Sequence, residues 1–455
     1  MRWRQKKMDG EHEHEQPSSI RTFLVPVAPC DDRDARDEGL VLSRSSADRG
    51  AHQTSQHSAS ATTTNHPPPA PRRFVGHIEL NRPRALNALD VHMVETILKT
   101  LHDWRIRADV TGVVVRASAE STTTARPVFC SGGDVKQVVT RGLRGDVEWG
   151  LRYFTSEYHM NMTMARLASK TDGSGGLDVV SVNDGITFGG GVGISIHNRY
   201  QVCTENTVFA MPECPIGLFP DVGGSYFLSR RGALGLYLAL TGARLHGRDV
   251  QRAGLATHFI RSSRLPGLMA AMARHGSVEL ALREASAGTA EGADDDKDDT
   301  KDDTKNDTKD DKEEGNAAGG FPFDIDLGEV FRYDVGVEEI VEGCRRNARG
   351  STAVAFWKEA DELLGRSSPT SLRITLELMK RGRAMPLEEC LRNENRVIQR
   401  LVRDRSSDFY VGVTARLIDR TGSPRWGPVQ NTGRFLEPLE PNLELQLGCT
   451  YSGRF

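Results

Sequence analysis

The sequence predicts an α/β layer fold with an additional helical region, and three observations predict it. From Phe74 to Glu213, short β-branched runs alternate with glycine turns and helix-spaced segments. That strand–turn–helix rhythm is how a layered α/β protein reads. Order resumes near Phe321, and three segments between 335 and 403 then show helical spacing. Between the two stretches lies an acidic low-complexity run with nothing apolar to bury.

In chain order, residues 1–72 are rich in Ser, Thr, His, Asp and Arg and end in NHPPPAPRR. They read as a disordered leader closed by a stiff proline linker. FVGHIEL alternates like a strand, and NRPRALNAL is a loop that leads into a helix reaching about Arg107. Leu89, Met93, Ile97, Leu101 and Trp104 give that helix its apolar face. GVVVRAS reads as a buried strand, PVFCSGGD as a strand entering a glycine turn, and Trp149–Leu167 as a helix. DVVSVNDG is a strand, Gly189-Gly190-Gly191 opens an apolar helix, and YQVCTENTVFAMPE is strand-like again. Residues 226–260 read as helical, with Gly242 stopping the run LGLYLALTG. The repeat KDDTKDDTKNDTKDDK from Lys297 to Lys312 sits inside a disordered insertion expected over 287–319. Segments 335–362, 368–382 and 386–403 have helical spacing, and 429–455 reads as a loose tail.

Composition excludes several function classes. The 455 residues carry a net charge of −3 with both signs abundant, so there is no electrostatic case for nucleic acid. No apolar run approaches the roughly 20 residues that span a bilayer. The seven cysteines are scattered and never in CxxC spacing, which argues against a zinc site or a disulfide framework. Cys130 and Cys214 read as small buried residues without an activating partner. The basic start at Arg2, Arg4, Lys6 and Lys7 gives way at once to GEHEHE, a faint targeting signal.

Three loops carry the candidate chemistry. Ser131-Gly132-Gly133-Asp134 follows a strand, Gly189–Gly191 opens a helix, and MPECPIGLFPDVGG presents Glu213 and Asp221. Glycines let backbone N–H groups approach a ligand without a Cβ in the way. One N–H from each glycine loop would make a two-donor oxyanion hole, and the acids would deliver or activate the attacking oxygen of an acyl transfer.

These residues resemble the crotonase (enoyl-CoA hydratase/isomerase) superfamily over about 74–265. NRPRALNAL resembles its CoA loop; FCSGGD and GITFGGGVG resemble its two oxyanion loops. FAMPECPIGLFPDVGGSYFLSR, LALTGARLHGRDVQRAGLATHFI, SPTSLRITL and DFYVGVTARLIDRTGSPRW are similar to its 3-hydroxyisobutyryl-CoA hydrolase branch, which extends the match through about 428. The resemblance implies a spiral of strand–strand–helix units over 73–270 and a C-terminal helical region over 321–428. It implies Gly133 and Gly190 as oxyanion donors, Glu213 as the catalytic carboxylate, Asp221 as its acidic companion and Glu157 as a substrate-lining residue. Glu157, Gly190, Glu213 and Asp221 would together bind substrate. The substrate class is an acyl-CoA thioester, the activity thioester hydrolysis in valine breakdown, and the compartment mitochondrial, with peroxisomal or cytosolic alternatives. No metal and no separate cofactor are implied, since CoA is half of the substrate; a homo-oligomer is.

Hydratases of this superfamily use two glutamates flanking one water and place the first two residues after the glycine turn, where this chain has Gly193. That ranks hydration below hydrolysis, with another acyl-CoA hydratase or isomerase as the enzyme alternative. Leu177-Asp178 where the branch has Lys-Pro, the extra loop KTDGSGG and Val411–Thr414 in the closing motif are departures that spare the acids. A structural role in the mitochondrial ribosome is the rival from another class. His197 and His258 read as satisfied packing or surface residues. Arg72, Arg73, Arg82 and Arg84 are candidates for CoA phosphates.

Overall fold

The structure, a computed structural model, describes residues 18–28, 72–122, 127–169, 177–287 and 320–447. The acidic repeat, the KTDGSGG loop and most of the expected leader lie outside these residues.

The first part of the chain runs β1 (Ile20–Pro26), β2 (Phe74–Leu80), α1 (Val91–Arg105), β3 (Val110–Ala117), β4 (Val128–Cys130), α2 (Val135–Leu143) and α3 (Val147–Ser169). It continues through β5 (Asp178–Asn183), β6 (Ile186–Phe188), α4 (Gly190–Ile196), β7 (Tyr200–Cys203), β8 (Val208–Ala210), α5 (Gly224–Phe227) and α6 (Gly232–Thr241). Then come β9 (Leu245–His246), α7 (Arg248–Arg252), β10 (His258–Phe259), α8 (Leu265–His275) and α9 (Val278–Ala287). The C-terminal helices are α10 (Val337–Gly350), α11 (Val354–Arg366), α12 (Pro369–Gly382), α13 (Leu387–Arg403) and α14 (Asp408–Val413).

Two sheets share the strands. One has the order β1-β2-β3-β5-β7-β10, the other β4-β6-β8-β9. The successive pairs β3/β4, β5/β6 and β7/β8 each give one strand to each sheet before the chain turns into helix. That is the expected spiral of strand–strand–helix units. Within each sheet these strands are parallel, so the C-terminal ends of β4, β6 and β8 lie side by side.

Local sequence explains the elements. Asp90 caps α1 by accepting the Met93 N–H at 2.9 Å. Met93, Ile97, Leu101 and Trp104 then face inward, and Trp104 packs where a Cβ on Gly76 would come within 2.3 Å of its ring. Val113 and Val115 point into the main core and Val114 into a second core beneath α8 and α9, the period-2 alternation of a strand buried on both faces. The main core runs unbroken from the sheets into α10–α13, so the C-terminal helices pack as part of the same body.

Three expectations are corrected. Residues 20–26, assigned to the disordered leader, form β1, antiparallel to β2 with Ile20 opposite Leu80. Ile20 is buried and Arg21 pairs with Glu120 at 3.0 Å; Ile20 and the short apolar run Phe23–Val25 suffice when an edge strand is waiting. The supposed loose tail is packed as far as Leu447: Phe435, Leu436, Leu445 and Leu447 are buried, and Arg396 of α13 holds Glu444 at 2.9 Å. The stretch 226–260 is not continuous helix; Gly232, Gly242, Gly247 and Gly254, all at positive φ, break it into short helices and two strands.

Candidate active site

The site follows from strand order. Adjacent strands β4, β6 and β8 end in Ser131–Gly133, Gly189–Gly190 and Met211–Glu213 respectively. Three loops far apart in sequence therefore meet at one edge, where ligands of parallel α/β sheets bind.

The glycines are close enough that side chains would collide. A Cβ on Gly190 would lie 3.1 Å from the Gly133 nitrogen and 2.5 Å from Glu157 Oε1. A Cβ on Gly189, whose φ is +49°, would lie 2.6 Å from Glu213 Oε1. The two bends thus converge, with Glu213 and Glu157 against consecutive residues of the second. The backbone bridge between Leu89 and Gly133 uses Leu89 N–H to Gly132 O and Asp134 N–H to Leu89 O, each 2.8 Å. Gly133's own N–H is not spent on it. Gly190 is the first residue of α4, where backbone N–H groups have no acceptor within the helix.

Each acid has a different setting. Tyr153 on α3 donates its hydroxyl to Glu157 Oε1 at 3.1 Å, and Tyr158 on the same helix donates to Asp221 Oδ2 at 3.0 Å. Glu213 Oε2 is buried and has no hydrogen-bond partner. The phenols hold two of the acids; the third sets Oε1 against the Gly189 bend and keeps Oε2 without a partner. Burial raises all three. Glu213 and Glu157 go well above the usual carboxylate range, with the negative charge of Asp221 adding to the rise in both. Asp221 is pushed up to about 7 by burial, against the opposing hydrogen bond from Tyr158.

That burial has a pH signature. Below 3.8 Asp221 is protonated whether folded or not; between 3.8 and about 7 the unfolded chain loses the proton that the folded chain keeps. The unfolded state then binds fewer protons, so stability falls as pH rises through this window. At about 1.4 kcal/mol per pKa unit the loss is on the order of a few kcal/mol. Urea unfolding at pH 5 and pH 8 should show a larger fall for wild type than for Asp221→Asn. Equal falls would mean that Asp221 keeps an ordinary pKa.

The loops are braced from several directions. Arg82 bonds Asp134 at 2.8 Å and Ala88 O at 2.9 Å, so this CoA-phosphate candidate is engaged in fixing the first glycine loop. Arg72 and Arg84 are exposed. Asn87, fully buried at φ +54°, donates to Val128 O and Phe129 O and accepts from Arg82 N–H. Beneath the acid loop, Ser368 N–H donates to Cys214 O at 3.1 Å, and a Cβ on Gly217 would lie 1.9 Å from Asp408 O. Cys130 and Cys214 are buried, and burial pushes both thiols up to about 12; neither is a nucleophile at neutral pH. His197 is buried, its Nε2 2.7 Å from Val222 O, as a packing residue would be. His258 lies at the far sheet edge beside Tyr200.

Sequence reading missed Tyr153, Tyr158 and Glu394. Spacing offered a hint for Tyr153 and Glu394. Tyr153 stands four residues before Glu157 on one helix. Glu394 falls on the apolar stripe of α13, three residues after Leu391 and four before Ile398, a place where an acid needs a partner.

The family model described as enoyl-CoA hydratase/isomerase matches residues 75–433. The mitochondrial 3-hydroxyisobutyryl-CoA hydrolase of Danio rerio is 37% identical over 354 residues, 78% of this chain and 82% of its own. That of Homo sapiens is 36% identical over 354 residues, again 78% and 82%. Among solved structures, an enoyl-CoA hydratase from Rhodobacter sphaeroides 2.4.1 is similar with a TM-score of 0.63 and 32% identity, over 82% of this chain and 97% of that one.

Proposed function

The chain belongs to the enoyl-CoA hydratase/isomerase family, and we propose that it hydrolyses 3-hydroxyisobutyryl-CoA to 3-hydroxyisobutyrate and CoA. The relatives' names support the substrate. The observation that carries the reading is the convergence of the two glycine bends on a buried carboxyl with one free oxygen.

In this reading the thioester carbonyl oxygen sits between the Gly133 and Gly190 N–H groups, which stabilise the negative charge that develops as the carbonyl carbon becomes tetrahedral. Glu213 either supplies the attacking oxygen itself or activates a water that does. Direct attack breaks the C–S bond, releases CoA thiolate and leaves a mixed anhydride for water to cleave. General-base action takes a proton from water, the water oxygen forms the C–O bond, and the C–S bond breaks to release CoA, with no covalent intermediate on the protein. Both need Glu213 ionised, and burial makes that carboxylate a stronger base than one in water. Asp221 and Glu157, each held by a phenol, receive the substrate's hydroxyl end. No cofactor is required, because CoA arrives with the acyl group.

Position 193 supports hydrolysis over hydration. A Cβ there would lie 2.8 Å from Val222 Cβ and 3.0 Å from Asn161 Nδ2. The first glutamate of a water-adding pair has no room. The relatives' names also support a mitochondrial address for this chain.

The test is CoA release from 3-hydroxyisobutyryl-CoA, 3-hydroxypropionyl-CoA and crotonyl-CoA in parallel. The two hydroxyacyl thioesters should release CoA, the branched one fastest, while crotonyl-CoA absorbance stays constant. Loss of crotonyl absorbance without CoA release would overturn the proposal in favour of a hydratase.

A further inference from the structure

The turn that presents Asp221 is held in an unfavourable shape. Val222 has φ +49°, a conformation in which a β-branched residue is strained and which persists only where the surroundings impose it. Gly223 follows at φ +83°, wedged so that a Cβ would meet His197 Cε1 and Leu387 Cδ1 at 2.8 Å each.

Two side chains hydrogen-bond the backbone of this turn. His197, just past the end of α4, donates Nε2–H to Val222 O at 2.7 Å; burial lowers its pKa to about 4, so the ring is neutral. Glu394 on α13, wholly buried, accepts Gly223 N–H at 2.8 Å through Oε2, and Ser225 N–H at 3.1 Å and the Ser225 hydroxyl at 2.5 Å through Oε1. All three partners are donors, which only a carboxyl with two accepting oxygens can satisfy. Glu394 stands 171 residues from Gly223 in sequence.

We propose that Glu394 is a positioning residue for the reaction: by clamping Gly223 and Ser225 it keeps Val222 in the left-handed region, and so holds the Asp221 carboxyl on Tyr158 and toward the glycine bends. The C-terminal helices would then complete the site rather than merely support it. The inference rests on the reading of Asp221 as a substrate-binding acid.

The test is a double-mutant cycle. Glu394→Gln opposes an amide NH2 to a backbone N–H, so the clamp loses at least one bond. In the wild-type background it should lower kcat/KM by about tenfold or more; in Asp221→Ala it should lower it no further. Ser225→Ala, which removes only the hydroxyl, should give a smaller loss with the same non-additivity and serves if Glu394→Gln does not fold. A crystal structure of Glu394→Gln should find Val222 out of the left-handed region and the Tyr158–Asp221 bond broken. Multiplicative losses in the two backgrounds, or an unchanged turn in the crystal, would overturn the proposal while leaving the thioesterase reading intact. Undiminished CoA release by Asp221→Ala would overturn the reading of Asp221 itself, and the positioning role with it.

Discussion

Glu213→Gln is expected to lower kcat for CoA release by 10²–10⁴-fold, the usual contribution of a positioned base or nucleophile, while the protein stays folded and its Tm stays equal or rises. The two halves of that expectation have one cause. Glu213 is about 6% exposed, and its Oε2 has no partner. Removing water from a carboxyl without replacing its hydrogen bonds costs stability, on the order of 1–3 kcal/mol. Asp221 and Glu157 add like charge to the same space. A neutral side chain of the same shape relieves the repulsion but can neither attack a carbonyl nor accept a proton from water. Stability that fell with activity would show that Glu213 serves packing. Activity that survived would remove it from the chemistry. Thermal unfolding and steady-state CoA release on the same preparation decide between these outcomes.

The sequence made the reacting end of the site legible because glycine and proline mark strand ends. Gly133, Gly190 and Glu213 each lie within three residues of the end of a short β-run. What it did not reveal was which strands would be neighbours. The order β4-β6-β8 is a property of the second sheet, set by long-range pairing that no local pattern records. Tyr153 and Tyr158 were hidden for a related reason: on an inward helix face an aromatic residue reads as core, and its hydroxyl acquires meaning only when Glu157 and Asp221 are placed beside it. Strand β1 was hidden by its surroundings, since a polar neighbourhood outweighs the short apolar run Phe23–Val25 when no partner strand is in view. Glu394 differs from these cases. Its position on an apolar stripe was visible, and an acid there calls for donors; the turn that supplies them lies on the far side of the chain.

Gly190→Ala is the sharpest available test of the two-amide arrangement, with an expected loss of 10²–10³-fold in kcat/KM, comparable to removing one oxyanion donor. The backbone at this position is ordinary, since Gly190 is absent from the residues with positive φ. Alanine at the start of α4 is also no worse a helix former than glycine, so the local backbone has no reason to object. The added methyl has nowhere harmless to go. It would stand 2.5 Å from Glu157 Oε1 and 3.1 Å from the Gly133 nitrogen, in the space the carbonyl oxygen must occupy to receive both N–H groups. Glu157 can swing aside, but the Gly133 backbone cannot, because Leu89 pins it through two 2.8 Å bonds. The substrate is therefore displaced rather than excluded, and the loss should fall mainly on kcat. Gly350→Ala supplies the control: nothing lies within 4 Å of a Cβ there, and turnover should be unchanged. Wild-type turnover by Gly190→Ala would mean that the carbonyl is not seated between these two amides, and the acid at 213 would then need another electrophile to face.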